Sequence, residues 1–204
     1  MVRNRSKNPE KRKQILDAAT RLFTDQGYAA TSMDHIAKKA DVSKQTVYSH
    51  FGNKDELFMA AIEQKCDSYH MLDISMDDLS DPKGILLTLA QRFLTMLISK
   101  EALAVHKICA FESKSYPNIA ELFFKAGPER LSGKVAQLMS KFNEQKILKI
   151  DNPKFAAWQF LNMVKGENFV RVEFNTDKQL TEEEVEQYLE ASVDLFLRGY
   201  AWQG

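Results

Sequence analysis

The sequence predicts an all-α protein, with a small three-helix module at the N-terminus and a larger helical body after it. Three observations predict this. All five prolines, Pro9, Pro82, Pro117, Pro128 and Pro153, precede stretches with 3.6-residue apolar periodicity, and each is read as opening a helix. Asn8, Asp81 and Asn152 stand before three of them as capping side chains, and proline suits a first turn because its missing N–H has no partner there. The one strand-like run, FVRVEF at 169–174, continues the helical pattern of 155–168 without a turn and is read as helix. A chain of 204 residues, 44% apolar and 27% charged, is long enough to bury a real core and to hold two domains.

Helices are predicted over 9–26, 32–40, 44–51, 54–71, 82–99, 101–115, 117–126, 128–145, 153–175 and 182–201. In the first, Ile15, Ala19, Leu22 and Phe23 form an apolar stripe opposite Lys11, Arg12, Asp17 and Arg21, and Gly27 closes the helix where a left-handed residue is wanted. Thr31-Ser32-Met33-Asp34 offers a capping box to a short second helix carrying Ile36, Ala37 and Ala40. Asn53 and Glu56 box the start of 54–71, and Thr181 with Glu184 box the start of the final helix. The acidic stretch 72–81 and the polar stretch 174–181 are read as loops, and no internal repeat or low-complexity tract is present. The expected division is a module at 1–53 and a body at 54–204, with helix 54–71 as the connector.

Net charge is zero by cancellation. Residues 1–54 hold eleven Lys or Arg against five Asp or Glu, whereas 55–204 hold seventeen against twenty-three. A basic first quarter points to an anionic partner, nucleic acid foremost. The opening MVRNRSKNPEKRKQ lacks the apolar middle of a signal peptide, and no later stretch approaches the ~18 apolar residues that span a bilayer, so a cytoplasmic protein without membrane contact is expected. Cys66 and Cys109 lack Cys-x-x-Cys spacing and read as packing residues in a reducing compartment.

The segment 32–51 carries the functional signal. A helix, a tight break at Ala40-Asp41-Val42-Ser43 and a second helix follow one another, with Ser43 as the natural cap. Val47 and Phe51, four apart, give that second helix one inward edge, and Lys44, Gln45, Thr46, Tyr48, Ser49 and His50 are left for the other faces. A helix-turn-helix lays such a helix in the major groove of DNA, where side-chain donors and acceptors meet base edges. Lys54, in the first turn of the next helix, suits a phosphate. For Tyr48, packing on Ala37 and the fourth helix is the alternative to a base contact; for His50, capping a helix end is. Arg3, Arg5, Lys7, Lys11, Arg12 and Lys13 form either an arm along the DNA backbone or a plain tail.

Phe23, Gly27-Tyr28, Thr31-Ser32, Ile36-Ala37, Ala40, Val42-Ser43, Thr46-Val47-Tyr48, Phe51, Lys54 and Leu57-Phe58 together resemble the N-terminal signature of the TetR family of bacterial transcriptional regulators. The later SYPNIAELFFKAGPERLSGKVAQLM and DNPKFAAWQFLNMVKG are similar to the C-terminal domain of its AefR-like branch. The resemblance implies a homodimer with one helix-turn-helix per subunit and a helical ligand-binding body, and no enzymatic activity or cofactor. It implies groove or phosphate contacts by Gln45, Thr46, Tyr48 and His50 and a phosphate contact by Lys54; Thr31, Lys44 and Ser49 are expected to join them at the DNA. Two positions depart from the pattern: Asp41 and Gln45 stand where many members carry glycine. Asp tolerates a left-handed backbone, so the turn survives, whereas Gln45 adds a side chain able to pair with adenine.

In the body, wide apolar stripes make core and can also line a cavity. The family resemblance places a pocket for a small apolar or amphipathic effector among the middle helices, with Phe93, Met96, Leu97, His106, Cys109, Glu112, Trp158 and Met163 as candidates and Gln137 and Gln159 as further polar ones. The last two long helices are apolar on more than one face, and Phe155, Leu161, Val164, Leu189, Val193 and Phe196 are expected at a two-fold interface. The function that the resemblance implies is that of a ligand-responsive regulator, a repressor released from a palindromic operator by the effector. Its rivals are a helical scaffold that binds no DNA, and a thiol or metal sensor through Cys66/His70 or His106/Cys109, whose two-residue sets fall short of a metal site. No Gly-x-Ser-x-Gly or glycine-rich phosphate loop points to catalysis.

Overall fold

The structure, a computed structural model, describes residues 8–70, 73, 76 and 78–201. Its elements are α1 (Pro9–Ala30), α2 (Met33–Lys39), α3 (Lys44–Phe51), α4 (Lys54–Ser68), α5 (Pro82–Leu97), α6 (Lys100–Glu112), α7 (Pro117–Phe124), a π-helical turn (Lys125–Glu129), α8 (Arg130–Glu144), α9 (Pro153–Glu173) and α10 (Glu182–Gly199). The protein is all-α, and 169–173 belong to α9 rather than to a strand. Arg3, Arg5 and Lys7 lie outside the described residues, as do 71, 72 and parts of the acidic stretch.

Two compact units form. One is the chain up to Lys65 together with Lys100–Gly127; the other is Cys66–Ser99 with Pro128–Gly204. By packing, therefore, α6 and α7 group with α1–α3 and with α4 as far as Lys65.

In the first unit, Asn8 caps α1 by accepting from the N–H groups of Glu10 and Lys11, with Pro9 in the first turn. Gly27, at φ +86°, breaks α1 where the sequence places the stop, although three more residues continue as a last turn. Ile15, Ala19, Phe23, Ile36, Val47, Phe51, Leu57 and Phe58 are buried together with Tyr28. The Phe58 ring stands edge-on to Phe23 at 5.1 Å and to Tyr28 at 5.2 Å. Ser32, not Thr31, caps α2, accepting from His35 N–H at 3.1 Å. Thr31 is 1% exposed, and its hydroxyl turns back to donate to the Gly27 carbonyl.

In the second unit, α5, α8, α9 and α10 close on Leu86, Leu89, Phe93, Val135, Leu138, Phe142, Phe160, Val164, Leu189, Val193 and Phe196. Each such side chain contributes about 1.5–3 kcal/mol on burial, so this cluster is the main stabilising term there. Asp81, Asn152 and Thr181 cap α5, α9 and α10, the last through a complete capping box with Glu184. Pro128 does not open a helix: it sits inside the π-helical turn between α7 and α8, where wider coiling absorbs the missing donor. A second departure is at Gly166, whose φ of +50° kinks α9. There the Tyr188 hydroxyl donates to the Met163 carbonyl at 2.8 Å, and the ring lies so close that a Cβ on Gly166 would meet it at 2.4 Å.

Candidate nucleic-acid interface

The break between α2 and α3 is a Schellman turn. Val42 N–H reaches the Ala37 carbonyl at 3.0 Å and Asp41 N–H the Lys38 carbonyl at 3.4 Å, with Asp41 at φ +51°. Aspartate thus takes the left-handed position where glycine is more usual. Ser43 then accepts from Thr46 N–H at 3.1 Å and starts α3.

One edge of α3 is inside. Val47 and Phe51 are buried, and the Arg12 guanidinium sits 4.7 Å from the Phe51 ring centroid, so Arg12 packs α1 on α3 rather than trailing as part of an arm. Lys44, Gln45, Tyr48 and Ser49 are exposed, Tyr48 at 43%, while Thr46 and His50 are half-buried. The hydroxyls are pre-set by local bonds: Ser43 Oγ lies 2.8 Å from Thr46 Oγ1, and Ser49 Oγ donates to the Thr46 carbonyl. Lys44 is paired with Asp34 of α2 at 2.7 Å, and its ammonium is 5.9 Å from the Tyr48 ring. Gln45 is exposed with no side-chain hydrogen bond among the described residues. An exposed row of amide, phenol, ammonium and hydroxyl on a short helix matches the chemistry of base edges and phosphates.

Two predicted contacts are placed otherwise. Thr31, buried and bonded to Gly27, has no hydroxyl to offer a phosphate. Lys54 is partly buried, and its ammonium donates to the carbonyls of Tyr28 at 3.0 Å and Thr31 at 3.1 Å, 4.0 Å over the Tyr28 ring. Burial lowers its pKa, against the opposing pull of Asp55 and Glu112. Lys54 is thus a clamp on the end of α1. The missed residues surround it. Tyr28 donates its hydroxyl to Asp55, Asn118 of α7 donates to the other Asp55 oxygen at 3.2 Å, and Glu112 of α6 accepts from Ala29 N–H at 3.0 Å. Burial first, and then Asp55, raise the Tyr28 pKa, keeping the phenol protonated. Long-range pairs of this kind leave no spacing signal, although Gly27 marks the turn they grip.

The expected pocket residues divide between the units. Phe93 and Met96 are buried in the second, where Leu97, Trp158 and Met163 are half-buried; His106, Cys109 and Glu112 belong to the first. Gln137 and Gln159 are exposed, and Gln159 accepts from the Tyr200 hydroxyl. Burial pushes the Cys109 thiol up to about 12, which leaves it protonated and unreactive. His70 pairs with Asp73 at 2.7 Å, and among the described residues no three His, Cys, Asp or Glu side chains gather to hold a metal. Among the expected interface residues only Phe155, at 62%, is exposed; Leu161, Val164, Leu189, Val193 and Phe196 are core of the chain itself. Apolar breadth on these helices comes from packing within one chain, and the uncovered residues are Phe155, Val170, Phe174, Tyr188 and Leu195.

An all-α chain with a helix-turn-helix whose second helix shows a polar face has the make-up of a DNA-binding regulator. The family profile for bacterial regulatory proteins of the tetR family matches residues 15–61, and that for the AefR-like transcriptional repressor C-terminal domain matches 84–202. The chain belongs to the TetR family, whose members are transcriptional regulators and not enzymes. The solved structure of the flavonoid-responsive regulator FrrA is similar at 35% identity and a TM-score of 0.78, covering 97% of this chain and all of that one. A putative TetR-family regulator from Mesorhizobium loti is similar at 27% identity and a TM-score of 0.77, covering 94% and 97%. The transcriptional activator FasR of Mycolicibacterium smegmatis is 45% identical over 65 residues, 32% of this chain and 30% of that protein. The match to the repressor SCO4008 of Streptomyces coelicolor is 37% over 81 residues, 39% and 40% of the two. These curated relatives are thus matched over less than half their length. No helix among the described residues is long and apolar enough to cross a membrane.

Proposed function

We propose that the protein is a dimeric, ligand-responsive regulator in the cytoplasm, a repressor that leaves a palindromic operator when a small amphipathic effector binds its body. The observation that carries this is α3: one edge, Val47 and Phe51, is anchored, and Lys44, Gln45, Tyr48 and Ser49 stand outside on a turn closed by Asp41. Gln45 is the residue most able to give this chain its own base preference, through a bidentate pair with adenine.

Dimerisation is supported by the apolar residues left open on α9, at its C-terminal cap and on α10: Phe155, Val170, Phe174 and Leu195. A two-fold dimer covers such a face and sets two α3 helices about 34 Å apart, one turn of DNA. The effector class is supported by the similarity to the flavonoid-responsive FrrA and by α6, where Cys109 is buried while Leu103, Val105 and Ile108 are only half-covered. A planar polyphenol, apolar in its rings and polar at its hydroxyls, is a ligand able to cover apolar side chains of this kind.

The test is selection of duplexes from a random pool, followed by binding across a salt series. A palindrome bound with steep salt dependence is expected. Gln45→Ala should relax preference at one base pair per half-site, and Tyr48→Ala should weaken binding by about 1–3 kcal/mol. Phe174→Glu with Leu195→Glu should give a monomer in native mass spectrometry and lose the palindrome. A chain that binds no duplex at low salt is a scaffold instead. A flavonoid that binds the protein and leaves duplex affinity unchanged removes the polyphenol assignment.

A further inference from the structure

Gly27, at φ +86° and ψ 173°, takes α1 out of its helical course and turns the chain toward α2. Two residues on, the Ala29 N–H finds its acceptor 83 residues away, in Glu112 of α6 at 3.0 Å. The second oxygen of that carboxylate lies over Gly27 so closely that a Cβ there would meet it at 2.4 Å. Only glycine both adopts this backbone conformation and admits the carboxylate. From the other side, Lys54 Nζ holds the carbonyls of Tyr28 and Thr31, and Asp55 gathers the Tyr28 hydroxyl and the Asn118 amide. The five residues 27–31 that lead into α2 are therefore held by α6 and α7 of the body as well as by α4.

We propose that Glu112 is a positioning residue for DNA binding: it fixes the turn that sets α2, and with it α3, in the shape that fits the groove. The proposal rests on the DNA-binding reading above. Glu112 touches no DNA, and its bond to a backbone N–H is charge-assisted and hence directional. A shift of α6 by about 1 Å stretches the bond from 3.0 Å beyond hydrogen-bonding range, so an effector that moves α6 is read at this turn. The sign of the effect separates positioning from electrostatics. Removing an acidic side chain from a DNA-binding unit reduces repulsion of phosphates and by charge alone tightens binding. Loss of the turn's geometry weakens it.

Glu112→Ala and Glu112→Gln in the full chain are compared with the parent on the duplex that the parent selects from a random pool, with amide exchange followed over 27–33. Glu112→Ala should bind about tenfold more weakly, within the range of a typical coupling, and Glu112→Gln more weakly than the parent but less so than Glu112→Ala, with the salt slope unchanged. Exchange at 27–33 should quicken while the second unit's core keeps its protection. Equal or tighter binding by Glu112→Ala, or unaltered exchange at 27–33, overturns the proposal. Should the alanine variant fail to fold, Glu112→Gln decides on the same two readings. A parent chain that selects no duplex sinks the DNA-binding reading instead, and exchange at 27–33 still decides whether Glu112 holds the turn.

Discussion

Gly27→Ala is the substitution whose cost the structure specifies most fully. The backbone at φ +86° and ψ 173° lies in a region essentially reserved for glycine, and forcing a Cβ-bearing residue there costs about 1–3 kcal/mol. The new Cβ also stands 2.4 Å from Glu112 Oε1, so the carboxylate must leave and its bond to Ala29 N–H is lost. That bond is charge-assisted but partly solvated, and about 1 kcal/mol is a fair share for it. Together the substitution should destabilise the first unit by about 2–4 kcal/mol. Urea unfolding followed by circular dichroism measures the cost, and a double-mutant cycle with Glu112→Ala separates its two parts. In the alanine background the carboxylate is already absent, so the cost of Gly27→Ala should fall by about 1 kcal/mol. A cost below about 0.5 kcal/mol refutes the backbone argument, and an identical cost in both backgrounds refutes the contact with Glu112.

Four further outcomes follow from single residues. Lys44→Ala frees Asp34 and removes an exposed cation from α3, and the salt slope of duplex binding should shrink by about one per subunit in a titration series. Lys54→Met should weaken duplex binding with the slope unchanged, because its ammonium is engaged with the carbonyls of Tyr28 and Thr31; a slope reduced by one would return it to the phosphates. Tyr188→Phe strips the donor from the Met163 carbonyl at the α9 kink and should cost about 1 kcal/mol in urea unfolding. Cys109 gives a pH signature. Its thiol is raised from 9.0 to about 12 in the folded chain, so between those values the unfolded form has lost a proton that the folded form keeps. Stability should therefore fall as pH rises through that window, and Cys109→Ala should flatten the fall seen in unfolding at pH 8, 9.5 and 10.5.

Local structure was legible because its causes are local. Asn8, Ser43, Asn53, Asp81, Asn152 and Thr181 cap the helices that the sequence assigns to them, each by a side-chain bond two or three residues ahead. Asp41 takes the left-handed turn that its short polar side chain tolerates. What escaped was the partner across space. Apolar residues of α9 and α10 looked too many for one stripe, yet Leu161, Val164, Leu189, Val193 and Phe196 are absorbed by their own chain. Periodicity counts apolar faces and does not say which chain covers them. Pro128 misled for a related reason: a π-helical turn lets proline sit inside a continuous run, and nothing in the adjacent residues announces it. Thr31 read as a cap because it neighbours the true one, Ser32, and the fold then buried it.

The basic first quarter is where sequence and structure inform each other most. Its excess of cations attracts a polyanion at long range whether or not each ammonium is bonded, because the field sums all charges. Close to DNA the count changes, since counterion release requires cations that reach phosphates. Arg12 lies on Phe51 and Lys54 donates to two carbonyls, so both are engaged within the module, and Lys44 must exchange Asp34 for phosphate to take part. Lys11, Lys13, Lys38 and Lys39 are exposed and are the better candidates for backbone contacts. Cations that look alike in the sequence thus divide into those engaged within the module and those left exposed to a polyanion. The acids sort the same way: Asp34 restrains a cation at the interface, while Asp55 and Glu112 carry the body's hold onto the turn before α2. Mutating acids in this unit should therefore not give uniformly tighter binding, as a count of charge alone requires, but opposite signs at Asp34 and Glu112.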